Sequence, residues 1–187
     1  PRALTTEEVQ RLEAHCAQTK RAPLRLLAMV RLALDLGLRV GEIAKLEIGD
    51  FDWRAGTVTL KRTKSQRQDV LPLPVLTGQA LAEYMRHERP ATTLPSLFVR
   101  RLAPHDKPIG VDAVSQAIGR ALRGAGISRG CHSLRHTLAC RLVNSGSSIK
   151  EVADVLRHRS LDTSLIYAKL DLQLLAEVAL PWPGSAS

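Results

Sequence analysis

Aromatic residues are scarce in this sequence and make up only 3% of its 187 residues. Because aromatic side chains contribute a large share of the buried area in many cores, their scarcity excludes a core of that kind. Hydrophobic residues still reach 44%, which is enough for a chain of this length to bury one core. We therefore expect a core built from leucine, valine, isoleucine and alanine.

Cysteines and long apolar runs are also few. The sequence has three cysteines, and no two of them form a C-x-x-C pair. An odd number argues against a disulfide framework, so we expect reduced thiols and a cytoplasmic setting. No apolar run reaches the roughly 18 residues that a membrane-spanning helix needs, since charges interrupt even the stretch from Leu24 to Leu38. We expect no contact with a membrane.

Acidic residues are outnumbered by basic ones. The 27 lysines and arginines exceed the 18 aspartates and glutamates, so the net charge is +9 and the isoelectric point is near 10.1. Such a surplus favours a polyanionic partner, because each contact with a phosphate releases counterions. Charge alone leaves open whether that partner is a nucleic acid or whether the protein is simply basic.

Hydrophobic periodicity predicts a mainly α-helical (α+β) fold with one small antiparallel sheet. Thr5-Thr6-Glu7-Glu8 is typical of a capping box at the start of a helix, and Pro23 suits the first turn of the next helix. Thr57–Leu60 and Val70–Leu73 are the predicted strands, and the proline in the second indicates an edge. Further helices are predicted over 40–46, 74–88, 111–122, 133–143 and 149–156, and two more beyond these, one capped by Thr163 and one over 172–178. Turns are predicted at 50–52 and 55–56, and an extended piece at 97–99.

The segment Cys131-His132-Ser133-Leu134-Arg135-His136 holds the first residues that could carry chemistry. On a helix, His132, Arg135 and His136 stand at i, i+3 and i+4 and share one face. An arginine offers a planar fork of donors and a histidine offers a donor or a proton shuttle, so together they suit a phosphate. A polar surface cluster would have the same pattern. A zinc site is disfavoured, because the glutamate of zincins and a third ligand are missing.

The segment Gly37-Leu38-Arg39-Val40-Gly41-Glu42 holds the second candidate. Arg39 falls at a corner between two apolar segments, where we expect it to be partly buried and therefore paired with an anion. Glu42, one helical turn later, is a suitable partner. The pair either stabilises the corner alone, or Glu42 holds Arg39 in place for the phosphate of a ligand.

Three further residues could act on a phosphate, although each also has an ordinary structural explanation. Lys64 lies in the predicted hairpin turn, where a lysine is either solvated or able to reach a DNA groove. His158 follows a predicted helix end. Tyr167, nine residues later, has the helical spacing of a core or interface residue, and it could equally be a nucleophile.

The order of these residues is more informative than any one of them. Six side chains suited to phosphate chemistry follow one another along the chain: Arg39, Lys64, His132, Arg135, His158 and Tyr167. That order resembles the active site of tyrosine recombinases and phage integrases. The local contexts are similar too: 37–43 resembles the family's first arginine segment, 63–73 its hairpin lysine, 132–137 its H-x-x-R-H box and 156–167 the approach to its nucleophile. The resemblance covers residues 5–170, and it implies the fold of that family's catalytic domain.

The resemblance implies DNA cleavage through a tyrosine. Tyr167 would attack the scissile phosphate, form a 3′-phosphotyrosyl link and release a 5′-hydroxyl, with Tyr84 as the only other tyrosine. Arg39 and Arg135 would stabilise the charge that develops on the non-bridging oxygens. Because arginines would fill that role, the resemblance implies no metal and no cofactor.

The remaining roles concern protons and support. Free tyrosine has a pKa of about 10, so it needs a base, and the resemblance assigns that role to His132. Lys64 would be the acid for the leaving oxygen, His158 would donate a hydrogen bond to the phosphate, and Glu42 would support Arg39. We expect the two arginines, the two histidines and Tyr167 to converge on one basic pocket.

The partner implied is double-stranded DNA. Four arginines beside the candidate residues are expected to contact it: Arg62, Arg67, Arg157 and Arg159. The resemblance implies that a full-length protein acts as a homotetramer on two DNA sites, that this chain alone is monomeric, and that the protein is cytoplasmic and associated with the nucleoid.

Two features depart from the family's pattern. Arg157 stands where the family usually has glycine. The family's N-terminal helical domain, which binds the core DNA site, has no counterpart in this sequence, so we expect residues 1–187 to be the catalytic domain of a longer protein.

Two alternative functions stay open, namely a type IB topoisomerase-like strand transferase and a non-catalytic DNA-binding module. Phage integration, chromosome-dimer resolution and service to a mobile element, which we favour, all stay open.

Overall fold

The computed structural model describes residues 3–61, 68–103 and 107–157. The chain divides into two compact units, Pro1–Leu138 and Ala139–Ser187. Within the described ranges no helix is both long enough and apolar enough to cross a membrane. The helices described are α1 (Thr6–Gln18), α2 (Pro23–Asp35), α3 (Val40–Lys45), α4 (Val75–His87), α5 (Val111–Gly124), α6 (His132–Asn144) and α7 (Ile149–Val155).

The first two helices begin at the residues that the sequence predicts. Thr5 is the N-cap of α1: its Oγ1 accepts a hydrogen bond from Glu8 N (3.2 Å), and Glu8 Oε2 accepts one from Thr5 N (2.8 Å), which completes the capping box. Pro23 starts α2, where its missing N–H would have had no partner in any case. This helix ends before Gly37, whose φ of 60° only glycine adopts readily.

The sheet has three strands rather than the two predicted. Strands β1 (Phe51–Asp52), β2 (Thr57–Lys61) and β3 (Gln68–Pro72) are antiparallel and lie in the order β1-β2-β3. In the register of the longer pair, Val58 lies opposite Leu71. As the proline predicts, β3 lies at an edge of the described sheet.

The prediction of a turn at residues 50–52 is wrong for the last two of them. Phe51 is buried and pairs with Val58 of β2, so this residue belongs to the sheet. The reversal comes just afterwards, where Asp52 Oδ1 accepts hydrogen bonds from the N–H groups of Arg54 (3.0 Å) and Ala55 (2.8 Å). An aspartate that binds the backbone ahead of it favours a turn after itself, so the turn lies at 53–56 instead.

The core of the first unit is aliphatic, as predicted. Leucine, isoleucine, valine and alanine make up most of its buried cluster. Two aromatic side chains, Tyr84 and Phe98, are also fully buried, with ring centroids 5.2 Å apart. Leu38 and Leu134, which lie next to candidate site residues in the sequence, belong to the same cluster. The candidate site of the first unit therefore rests directly on the core.

Helix α7 belongs to the second unit, and its start confirms the prediction. Ser148 Oγ accepts a hydrogen bond from Glu151 N (3.2 Å), and Glu151 Oε2 accepts one from Ser148 N (2.6 Å). Val152 lies on the buried face of this helix. The helices predicted after Thr163 and Leu172 lie outside the described residues.

Candidate active site

The first candidate residue stands at the corner between α2 and α3. Gly37 turns the chain after α2 with its positive φ. Leu38 then enters the core, where it is 2% exposed, and its N–H donates to Leu32 O (3.2 Å). Arg39 follows as the N-cap of α3 with an extended backbone. Because Leu38 takes the inner side of the corner, the side chain of Arg39 leaves on the solvent side.

Arg39 is held by the glutamate that the sequence predicts. Its Nη1 donates to Glu42 Oε1 (3.1 Å), and its backbone N–H donates to Glu42 Oε2 (2.8 Å). The side chain of Arg39 is 44% exposed, so the prediction of a partly buried arginine is wrong. The carboxylate orients the guanidinium from the side and leaves much of it open to water. An incoming phosphate can therefore reach it.

The second candidate arginine, Arg135, lies in the first turns of α6 and is buried. Only 7% of this residue is exposed. Its Nη1 donates a hydrogen bond to Gly37 O, the carbonyl two residues before Arg39. Within the first unit, this bond brings the start of α6 into contact with the corner that carries the first arginine. Two segments 98 residues apart in the sequence are thereby joined.

The two histidines of α6 have different environments. His132 is the first residue of the helix and is exposed, whereas His136 is only 3% exposed. Burial lowers the pKa of His136, so the folded protein favours its neutral form. A polar surface cluster, the alternative explanation for this segment, does not hold for Arg135 or His136. His132 is the histidine that solvent or a ligand can reach.

The predicted hairpin residues Lys64, Arg62 and Arg67 lie outside the described residues. The base of the hairpin is described, and it contains a residue that sequence reasoning missed. Lys61, the last residue of β2, places its Nζ 3.0 Å from Glu47 Oε2 and 3.1 Å from Asp50 Oδ1. The sequence signal for this ion-pair cluster was the pair Glu47 and Asp50, spaced as one helical turn and followed by the basic hairpin.

His158, Arg159 and Tyr167 also lie outside the described residues. Arg157, which precedes them, is described within the second unit. It has a φ of 55° and is 6% exposed, and its Nη1 donates to Val155 O (3.2 Å). The backbone at this position suits glycine, the residue that the family resemblance implies here. The burial of Arg157 argues against the predicted contact with DNA, because its guanidinium donates to Val155 O at the C-terminal end of α7.

The other tyrosine of the sequence is part of the core. Tyr84 is fully buried, and its hydroxyl donates to Leu97 O (3.3 Å). Burial raises the pKa of this hydroxyl. A nucleophile must meet its substrate and lose its proton, and Tyr84 is badly placed for both. Since the sequence has two tyrosines, a tyrosine nucleophile in this chain would have to be Tyr167.

The described half of the candidate site can bind an anion. Arg39 and Arg135 each offer several N–H donors in a fixed plane. One is accessible and the other is fixed by a main-chain carbonyl. Across the described ranges, no three histidine, cysteine or carboxylate side chains come together as they would around a metal ion.

Known proteins resemble this chain over most of its length. The sequence model of the phage integrase family matches residues 2–173. A protein of Sinorhizobium fredii that carries the name integrase/recombinase, y4rA, is 38% identical over 189 residues, which are 100% of this chain and 46% of y4rA. A second one, y4gC, is 38% identical over 168 residues, which are 88% of this chain and 86% of y4gC. The chain thus spans less than half of the length of y4rA.

Solved structures share the fold. The crystal structure of XerA recombinase matches with a TM-score of 0.80 at 24% identity, over 97% of this chain and 66% of that one. XerH site-specific recombinase, bound to a palindromic difH substrate in a post-cleavage complex, matches with a TM-score of 0.80 at 25% identity, over 97% of this chain and 53% of that one. The helices and the small antiparallel sheet therefore form the fold predicted from the family resemblance.

Proposed function

This chain belongs to the phage integrase family, and on that premise we propose that it is the DNA-cleaving and DNA-rejoining domain of a site-specific tyrosine recombinase. The observation that carries the proposal is the bond from Arg135 to Gly37 O. It joins the two arginine segments that the order of residues assigns to one phosphate. A mobile element is the setting that we favour, since y4rA carries the name integrase/recombinase.

The reaction begins with Tyr167. Its hydroxyl oxygen attacks the scissile phosphorus, the 5′-oxygen leaves, and the strand stays attached through a 3′-phosphotyrosyl bond. That bond keeps the energy of the broken one, so a second 5′-hydroxyl can reverse the step on another strand. The buried position of Tyr84 supports this assignment.

The two arginines bind the non-bridging oxygens. Arg135 is already ordered by Gly37 and the core, so it needs little reorganisation when charge develops. Arg39 is exposed and shares its guanidinium with Glu42, so a phosphate adds to that pair or replaces one of its bonds. Donors arranged before the reaction stabilise the transition state more than donors that must first be ordered.

Residues near the phosphate transfer the protons. His132, which is exposed at the start of α6, takes the proton of Tyr167, and Lys64 gives one to the leaving oxygen. His158 donates a further hydrogen bond to the phosphate. Glu42 acts only through Arg39.

The substrate of the whole protein is double-stranded DNA. The net charge of +9 supports this partner, and Arg62, Arg67 and Arg159 are the arginines that we assign to phosphate contacts. A longer protein containing this chain assembles as a tetramer on two sites, in the compartment that holds the DNA. The chain by itself is a monomer and binds DNA weakly, with an affinity that falls steeply as salt rises.

Covalent capture tests the proposal. Wild-type chain incubated with a nicked suicide DNA should form an adduct that survives denaturation and is found by gel shift and mass spectrometry. Tyr167→Phe should bind the same DNA and form no adduct, because only the attacking hydroxyl is lost. Tyr84→Phe is the matched control, and it should form the adduct since its hydroxyl lies in the core.

An adduct that persists in Tyr167→Phe would overturn the assignment of the nucleophile. A wild-type chain without any adduct would favour the non-catalytic DNA-binding module. Relaxation of supercoiled DNA without a defined site or a recombinant product would favour the topoisomerase-like alternative.

A further inference from the structure

Residues 3–8, which we call the N-terminal segment, are bonded to α6 through Thr137. The N–H of Leu4 donates to Thr137 Oγ1 at 2.8 Å, and both residues are buried. The hydroxyl of Thr137 donates in turn to Ser133 O at 2.7 Å. One hydroxyl therefore links the backbone of the N-terminal segment to the backbone of the first turn of α6.

A second attachment lies just before α6. Arg129 Nη1 donates to Ala3 O and to Glu8 Oε2, both at 2.9 Å. The same carboxylate oxygen of Glu8 also accepts the N–H of Thr5 at 2.8 Å. Arg129 is thus bonded to both ends of the N-terminal segment, and that segment is itself ordered by the capping box of α1.

The two attachments flank the residues assigned to the phosphate. Arg129 precedes His132 by three residues, and Thr137 follows Arg135 by two. From Arg135 the bonded path continues to Gly37 O and the corner that carries Arg39. The N-terminal segment, the first turns of α6 and that corner therefore form one connected network inside the first unit.

We propose that Thr137 and Arg129 are positioning residues for DNA cleavage. They hold α6 against the N-terminal segment and thereby set where Arg135 and His132 stand relative to the scissile phosphate. The inference rests on the proposed function and adds to it two residues that touch neither DNA nor the reacting atoms. A misplacement of about 1 Å can lower a rate on the order of a hundredfold, so bonds remote from the phosphate can still set the rate.

Single-turnover cleavage of the suicide DNA, with the chain in saturating excess, separates positioning from stability. Thr137→Val keeps the shape of the side chain but can neither accept from Leu4 nor donate to Ser133. It should lower the rate constant of the active fraction by about ten- to a hundredfold, with DNA affinity unchanged. Thr137→Ser keeps the hydroxyl and should restore most of the rate.

Thr77→Val is the matched control. Thr77 is also a buried threonine, and its hydroxyl donates to Asp35 Oδ2 at 2.8 Å, a bond between α4 and α2 that includes no residue of this network. Its loss should lower the melting temperature and leave the rate constant as it is. If Thr137→Val likewise changed only the melting temperature or the amplitude, its role would be structural and the proposal would be wrong.

Arg129→Gln, at a residue whose side chain is 25% exposed, gives a second test if Thr137→Val does not fold. It should also slow cleavage, and Arg129→Lys should restore part of the rate. A DNA with sulfur at the bridging 5′ position identifies the group affected, because a thiolate leaves without an acid such as Lys64. The defects should persist on that DNA, since Arg135 acts on the non-bridging oxygens. Defects that vanish would assign the effect to Lys64 instead and overturn the proposal.

The two hypotheses fail in different ways. Normal wild-type cleavage with unaffected Thr137→Val and Arg129→Gln would refute positioning and leave the proposed function intact. A wild-type chain that forms no adduct would refute both.

Discussion

The starts of α3 and α6 each present an arginine, and the two sites are built in opposite ways. Arg39 stands in solvent and is bonded to a side chain of its own helix, Glu42. Arg135 is buried and is bonded to the main chain of a distant segment, at Gly37 O. An exposed ion pair is worth little to folding, whereas a buried guanidinium that loses its acceptor is costly. We infer that Arg39 serves the ligand, and that Arg135 serves both the ligand and the fold.

Arg135→Ala should have the largest effect and should show both functions. Removing the buried guanidinium leaves the carbonyl of Gly37 without this donor, which should lower the free energy of unfolding by about 1–3 kcal/mol. Cleavage should fall by about a thousandfold, because a preorganised donor to the developing charge is lost. Urea denaturation and single-turnover cleavage measure the two effects. A stable variant that had lost only activity would remove the contrast between the two arginines.

Arg39→Ala should affect activity alone. Its ion pair with Glu42 is exposed, so the free energy of unfolding should change by less than about 1 kcal/mol. Cleavage should still fall by about a hundred- to a thousandfold, because the accessible donor to the phosphate is missing. The same two measurements apply. A marked loss of stability here would show that the corner depends on Arg39 after all.

Gly37→Ala should act on both arginines through the backbone that they share. A residue other than glycine at a φ of 60° costs about 1–2 kcal/mol, and a shift of this carbonyl would move Arg135. We expect cleavage about tenfold slower at unchanged DNA affinity. Gly126→Ala is the control: its φ is 75° and a Cβ would meet open space, so it should cost similar stability without slowing cleavage. Equal rates for both variants would break the link between Gly37 and the site.

The smallest effect should come from His136, the buried neighbour of Arg135. Burial lowers its pKa below the ordinary value of 6.5, so the unfolded chain binds a proton at a higher pH than the folded protein does. Its contribution to stability is therefore complete above pH 6.5 and is lost as the pH falls below that value. Unfolding midpoints measured from pH 8 to pH 5 should fall less steeply in His136→Gln than in wild type. Parallel slopes would assign the pH dependence to other groups.

Local sequence chemistry predicted most of the described fold. The capping boxes at Thr5 and Ser148 and the proline at residue 23 mark helix starts because their bonds are made within a few residues. The strand at Phe51 was missed for the opposite reason. It consists of two residues, and its pairing with Val58 and Thr57 makes it a strand. A strand of two residues is too short to show the alternating pattern from which strands are predicted.

The candidate site was predicted less completely, because the sequence does not show which of its side chains face solvent and which face the core. The order of residues singled out Arg39 and Arg135, and the helical spacing predicted Glu42 as the partner of Arg39, but residue types do not say which arginine faces water. Burial at Arg39 was expected from its apolar neighbours, and Leu38 took the inner position instead. The attachments of Arg129 and Thr137 join residues more than a hundred positions apart, so no local pattern could have indicated them.

The position of Tyr84 in the core has a practical consequence for chemical labelling of this folded chain. Reagents that nitrate or iodinate phenols in solution need an accessible ring, and Tyr84 is fully enclosed with its hydroxyl donating to Leu97 O. With two tyrosines in the sequence, any phenol that such a reagent labels in the folded chain must be Tyr167. Protection of Tyr167 from labelling when DNA is bound could then be measured without replacing any residue.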